Sequence, residues 1–283
     1  MPDFGIFRGF NEKLFGDKLV AGQLPINLGL IGSEEVTDID PDYQAILDYA
    51  TTQGYTLPSS SQQALQNQLV FDLKAAGVWS KLDTFAVFAT DAEDSPGSGT
   101  SDFALIDWIR LTQYTAFNSP TFTVNDGFQG NGSSAYITTN FKASSQGVNY
   151  VQDNAGRYYY VDNFISGAFL EGNLFAGENS TVYGISTGQR INLSNLLNSA
   201  VNFGVVGFKS INRTSSTNVE LFVDTTQYSR TSTSNGISNF NQDILRSGGF
   251  YSNSRFKFYG MGASLVSENT AFYNAINTYI TSL

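Results

Sequence analysis

The residues of this sequence able to do chemistry are carboxylates, phenols and a few bases, because it contains no histidine and no cysteine. That removes imidazole and thiolate nucleophiles or bases, disulfides, and nitrogen or sulfur metal ligation. A hydrolase built from what remains would need two carboxylates facing one cleft, commonly alternating along a strand so that both project from the same face. The nearest approach is Glu220 with Asp224, which lacks a third acid and flanks a run whose Val219, Leu221 and Val223 face inward. Asp38, Asp40 and Asp42, with Glu35 nearby, imitate the spacing of a calcium loop. An EF-hand loop needs glycine at its sixth position and glutamate at its twelfth, and those positions hold Tyr43 and Tyr49. Asp40 followed by Pro41 reads instead as a helix cap with proline at the first helical position. The residues therefore propose no catalytic set, no metal site and no cofactor.

Two features point to binding. Tyr158, Tyr159 and Tyr160 are consecutive, so in a strand Tyr159 faces opposite to its two neighbours. Either the strand contributes to a core and one tyrosine reaches the surface, or Tyr159 is a ligand contact, stacking on a sugar ring or anchoring an interface. The second feature is the opening segment, where Phe4, Ile6, Phe7, Phe10, Leu14 and Phe15 are interleaved with glycines. Glycine at that density weakens a regular helix. Residues 1–37 are expected to form an N-terminal arm that either lies across the chain's own core or docks into a neighbouring subunit.

The elements that must position these groups follow from periodicity. Tyr43, Ile46, Leu47 and Ala50 repeat at helical spacing up to Gly54; Leu65, Leu69, Leu73 and Ala76 do so up to Gly77. A helical pair over about 41–77 is predicted. Short strand-like runs follow at 84–88, 121–124, 135–141, 158–164, 201–208, 219–223 and 256–261, separated by Asn, Gly, Ser and Asp. Evenly spaced short strands of this kind imply a sandwich or jelly roll. The last segment, about 268–283, returns to helix, with Ser267 as cap and Phe272, Ile276, Tyr279 and Leu283 on one face. The expected organisation is the arm, 1–37, and one sandwich domain, 38–283, that includes the helical pair and the terminal helix.

Composition agrees with a β-rich chain. Of 283 residues, 41% are hydrophobic and only 14% charged, against about 25% in an average domain, while 23 Phe and 15 Tyr supply bulk for a core. The net charge of -10 argues against a nucleic-acid binder, which needs a field of Lys and Arg. The excess is local: residues 1–119 carry 16 acids and 6 bases, and residues 120–283 carry 9 of each. No apolar run is long enough to span a membrane, and Met1-Pro2-Asp3-Phe4 lacks the basic start of a secretory signal. Synthesis and assembly in a cytoplasm is the expectation.

Several segments taken together resemble virion proteins of tailed bacteriophages. They are Leu73-Lys74-Ala75-Ala76-Gly77-Val78-Trp79-Ser80-Lys81-Leu82-Asp83, Phe85-Ala86-Val87-Phe88, and Asn118-Ser119-Pro120-Thr121-Phe122 leading to Gly127-Phe128-Gln129-Gly130-Asn131-Gly132-Ser133-Ser134-Ala135-Tyr136-Ile137. The closing Gly260-Met261-Gly262-Ala263-Ser264-Leu265, with Ala271-Phe272-Tyr273 in a terminal helix, belongs to the same resemblance, which covers about residues 42–283. Those phage modules are similar to the concanavalin A-like, or laminin-G-like, jelly roll. The resemblance implies a non-enzymatic structural component of the virion, associated with capsid, tail or fibre. It would dock by its arm to other virion proteins, form a homo-oligomer in the particle and display its sandwich. A host-glycan-binding adhesin is the alternative. The phage module has no shared catalytic set, so no catalytic residue is transferred.

Overall fold

The first helix, α1 (Pro41–Gln53), begins where the sequence places a cap: the Asp40 carboxylate accepts a hydrogen bond from the Asp42 amide at 2.9 Å, and Pro41 opens the first turn. Gly54, in the left-handed region at φ 77°, ends it. α2 (Ser60–Ala75) starts from Ser59, whose hydroxyl accepts from the Gln62 amide at 3.3 Å. These are the helical pair expected over 41–77. The structure, a computed structural model, describes residues 38–164, 169–175, 178–183, 189–192 and 201–283. The arm, with Phe4, Ile6, Phe7, Phe10, Leu14 and Phe15, lies outside the described residues.

From Ile39 to Leu283 the chain forms one compact, mainly β unit. The strands used below are β1 (Leu82–Val87), β2 (Thr115–Phe117), β3 (Thr121–Thr123), β4 (Gly127–Gln129), β5 (Tyr136–Thr138), β6 (Ala155–Asn163) and β7 (Phe169–Phe175). They continue with β8 (Glu178–Tyr183), β9 (Gly207–Arg213), β10 (Asn218–Val223), β11 (Thr226–Thr231), β12 (Asp243–Ile244) and β13 (Arg255–Gly262). An eight-stranded antiparallel sheet has the order β11-β10-β9-β6-β13-β4-β3, with β1 also paired to β13. A five-stranded sheet has the order β8-β7-β12-β5-β2. The fold is thus a β-sandwich with a helical pair and a C-terminal helix.

Two hydrophobic clusters define its layers. One includes Tyr159, Val161, Ile211, Leu221, Phe256, Tyr259 and Met261 of the large sheet with Ile137, Leu170 and Ile244 of the small one, so it lies between the sheets. The other joins Phe85, Tyr158, Phe208 and Phe258, on the opposite face of the large sheet, to Ile46 and Leu47 of α1, Leu69 and Leu73 of α2, and Phe272, Ile276 and Tyr279 of the terminal helix α3 (Asn269–Thr281). Burying a large apolar side chain contributes roughly 1.5–3 kcal/mol, and here the large sheet does so on both faces. Its pleat stays in step through a bulge between Phe256 and Phe258, which sends those rings to opposite clusters.

Three details depart from the sequence reading. The segment 201–208 contains no strand before Gly207; Val201 and Phe203 are buried as an unpaired stretch against the inter-sheet core. The run 135–141 shortens to a three-residue strand. Ser267 is not the cap of α3: Glu268 holds that position, no side chain caps the helix there, and the Ser267 hydroxyl hydrogen-bonds the Glu268 carboxylate at 2.8 Å.

Candidate functional site

The solvent-facing side of the small sheet carries a groove whose walls can be built residue by residue. β2 and β5 pair antiparallel, with Phe117 opposite Tyr136 and Ala116 opposite Ile137. Ile137 is fully buried between the sheets, so alternation sends Tyr136, Thr138 and Phe117 outward. The two rings stack with centroids 4.8 Å apart and planes 9° from parallel, an aromatic cross-strand pair of the kind that stabilises sheets. On the other side of β5, β12 pairs Asp243 with Thr138 and Ile244 with Ile137, which puts Asp243 outward and Ile244 in the core.

Strict alternation would then bury Arg246. Leu245 prevents that. It sits in the left-handed region at φ 68°, a genuine outlier for a bulky side chain, and is fully buried in the inter-sheet cluster. Its amide donates to the Leu170 carbonyl at 2.8 Å and its carbonyl accepts from the Ser252 amide at 2.8 Å, so the conformation is fixed at both ends. Two successive side chains therefore point inward, and Arg246 returns to the same outer face as Asp243. There its Nε and Nη2 donate to Asp243 Oδ2 at 2.9 and 2.6 Å. Its guanidinium carbon lies 3.6 Å from the Tyr136 ring centroid. Because β2 and β12 flank β5 on opposite sides, Tyr136 is held between Phe117 and Arg246.

The resulting cavity has a volume of about 270 Å³ and is lined by Phe117, Tyr136, Thr138, Phe240, Asn241, Asp243 and Arg246. Phe117 and Phe240 are 39% and 41% exposed. Tyr251, on the short hairpin that follows, approaches Tyr136 with ring centroids 6.2 Å apart and hydrogen-bonds Arg246. Burial holds the Asp243 carboxyl above its ordinary range, opposed by Arg246 and by a hydrogen bond from Thr138. Ring surfaces, a fixed ion pair, a hydroxyl and an amide thus converge on one opening. Asp243 is the single carboxylate among its lining residues, where hydrolysis of a glycosidic bond ordinarily uses two.

A second concentration of reactive groups lies between the sheets. Arg157 Nη1 stands 3.0 Å from Glu171 Oε1, and Glu171 Oε2 accepts from the Tyr259 hydroxyl at 3.1 Å and from the Gln242 amide. Arg157 also donates to the Arg190 carbonyl. Arg157, Glu171 and Tyr259 are all fully buried. Burial keeps the Glu171 carboxyl above its usual range, against the pull of Arg157, and the Tyr259 hydroxyl well above its own. With no exposed surface the set has no substrate access; it ties β6 and β13 of one sheet to β7 of the other.

The tyrosine triplet is placed differently from the expectation of an exposed contact. Tyr159 is fully buried between the sheets, with Phe203 and Phe256 against its ring. Tyr158 is equally buried on the helical side, where its hydroxyl donates to the Ala263 carbonyl, and Tyr160 is half-buried there. Tyr159 as a ligand contact is therefore corrected: helices cover the face that a simple sandwich would leave to solvent, so neither side of β6 is open. Asp40 and Asp42 both pair with Lys74 at 2.6 Å, and no cluster of three metal-capable side chains occurs among the described residues. Glu220 accepts from Asn218, Gln227 and Ser229, while Asp224 accepts from the Phe208 amide; both carboxylates serve the sheet.

No protein-family model matches the sequence, and no curated protein matches it. Solved structures do. A mutant of Trypanosoma rangeli sialidase displaying trans-sialidase activity aligns with a TM-score of 0.44 and 11% identity, over 77% of this chain and 39% of that one. Domain 4 of AbnA, a GH43 extracellular arabinanase from Geobacillus stearothermophilus, solved with arabinotriose, aligns with a TM-score of 0.41 and 12% identity, over 68% and 98%. The receptor binding domain of a botulinum neurotoxin C/D mosaic serotype aligns with a TM-score of 0.44 and 8% identity, over 70% and 52%. These likenesses concern the fold.

Proposed function

We propose that the chain is a non-enzymatic sandwich that binds carbohydrate through the groove on its small sheet. In keeping with the resemblance of its sequence, it would act as a component of a tailed-phage virion. The observation that supports this reading is the row Phe117, Tyr136, Arg246, locked by Asp243 and open to solvent. Sugar rings present apolar C–H patches to aromatic surface and hydroxyls to fixed polar groups, and a concave site with a few convergent polar groups suits them. The apolar arm would attach the chain to other capsid or tail subunits, leaving the groove to face the host. A glycan array probed with the full chain tests the reading. Saturable binding to at least one glycan is expected, weakened by about 10-fold or more in Phe117→Ala, whose ring is 39% exposed and keeps one face free of Tyr136. Absence of saturable binding to every glycan would refute it.

A further inference from the structure

The groove of the small sheet carries one more distinction, which rests on reading it as a sugar site: we infer that it selects uncharged glycans over glycans bearing a carboxylate. Arg246 is the one cation among its lining residues, and the hydrogen-bonding fork with which arginine grips a carboxylate is already engaged. Both Nε and Nη2 point at Asp243 Oδ2, at 2.9 and 2.6 Å, while the flat side of the guanidinium rests on Tyr136 at 3.6 Å.

An incoming uronic or sialic acid would have to displace Asp243 or share Arg246 with it. In the first case the Asp243 carboxylate, only 4% exposed, loses its partner in a partly desolvated site, which is costly. In the second, two carboxylates stand within a few ångströms of each other, and like charges at that range repel. A hydroxyl meets neither obstacle. It can accept from the exposed Asn241 amide, and from an Arg246 N–H not turned to Asp243, without disturbing the ion pair. The formal charge of the chain, -10, supplies no long-range attraction for an anion either.

The test titrates the full chain with pairs of oligosaccharides that differ only in a terminal residue, neutral hexose in one and sialic or glucuronic acid in the other. The neutral member is expected to bind at least about tenfold more tightly, the scale set by one unfavourable charge contact in a half-buried site. Its affinity should change less than about twofold between 0.05 and 0.5 M salt, since no net charge is neutralised. Asp243→Asn releases the arginine fork and should bring the two members to within about threefold of each other. Equal or tighter binding of the acidic member by the unmodified chain would overturn the inference while leaving the groove a sugar site, provided Phe117→Ala, which removes an exposed ring of the groove, abolishes that binding. If no saccharide of either kind binds, the parent reading fails and this one with it. The comparison on the unmodified chain decides the charge question even if Asp243→Asn is too unstable to measure.

Discussion

Lys209 offers the sharpest physical test of the sandwich interior. It lies on β9 opposite Tyr159, is fully buried, and makes one weak hydrogen bond among the described residues, from Nζ to the Phe208 carbonyl at 3.3 Å. Burial pushes its pKa down from 10.5 to about 8, with the Asp224 carboxylate opposing part of the fall. At about 1.4 kcal/mol per tenfold change in proton affinity, that displacement corresponds to roughly 3 kcal/mol carried by the folded state at pH 7. The sign follows from proton counting: between pH 8 and 10.5 the unfolded chain holds the lysine proton and the folded chain has released it, so this group makes stability rise with pH across that window. Lys209→Met keeps the length of the side chain and removes the charge. We expect the variant to be more stable at pH 7 by up to roughly 3 kcal/mol, with the advantage shrinking toward zero by about pH 10.5. Urea unfolding of both chains at several pH values measures this, and taking the difference cancels the tyrosines, which ionise alike in both. A difference that does not vary between pH 7 and 10.5 would show that the Lys209 ammonium is solvated or paired, and would refute the argument from burial.

Two further outcomes test the electrostatics. Glu171→Gln removes the partner of a fully buried Arg157 and should cost about 3–5 kcal/mol in urea unfolding, the range for breaking a buried ion pair from one side; a loss under about 1 kcal/mol would mean that water already reaches the pair. On acidification, Glu171, Asp102 and Asp243 have carboxyls raised chiefly by burial, so the folded state takes up their protons first and gains stability as the pH falls toward the ordinary carboxylate range. Asp40, Glu220 and Glu268 run the other way: burial alone would raise them, but Lys74, Ser229 and Lys81 respectively hold them low. Their contribution is lost as the pH drops below 3.8 to 4.5 and through the folded values, so stability should peak in mild acid and then fall steeply. A monotonic decline from neutrality would contradict this.

What was legible in the sequence was local. Asp40 with Pro41, Ser59, Gly54 and Gly77 delimit the helical pair because caps and left-handed glycines act over a single turn. Tyr136 and Thr138 alternate against Ala135 and Ile137, and that alternation survives as the outer face of β5. The rest depended on partners distant in sequence. Helices laid over the large sheet bury both of its faces, so alternation could not tell that Tyr159 is sealed in. The left-handed Leu245 carries no local signal, since its conformation is imposed by Leu170 and Ser252. Asp243 and Arg246, with Ile244 and Leu245 between, carry no pattern in the sequence that marks them; only the kinked strand makes them a pair on the outer face.

That kink separates two kinds of selection. Along Asp243, Ile244, Leu245 and Arg246 the inner two side chains fill the core and the outer two face the groove. Exchanging 243 and 246 together can remake the outer surface while 244 and 245 keep the strand in place, whereas changing either one alone leaves a nearly buried charge without its partner. The positions that form the outer surface and those that fill the core are thereby segregated within one run of four consecutive residues.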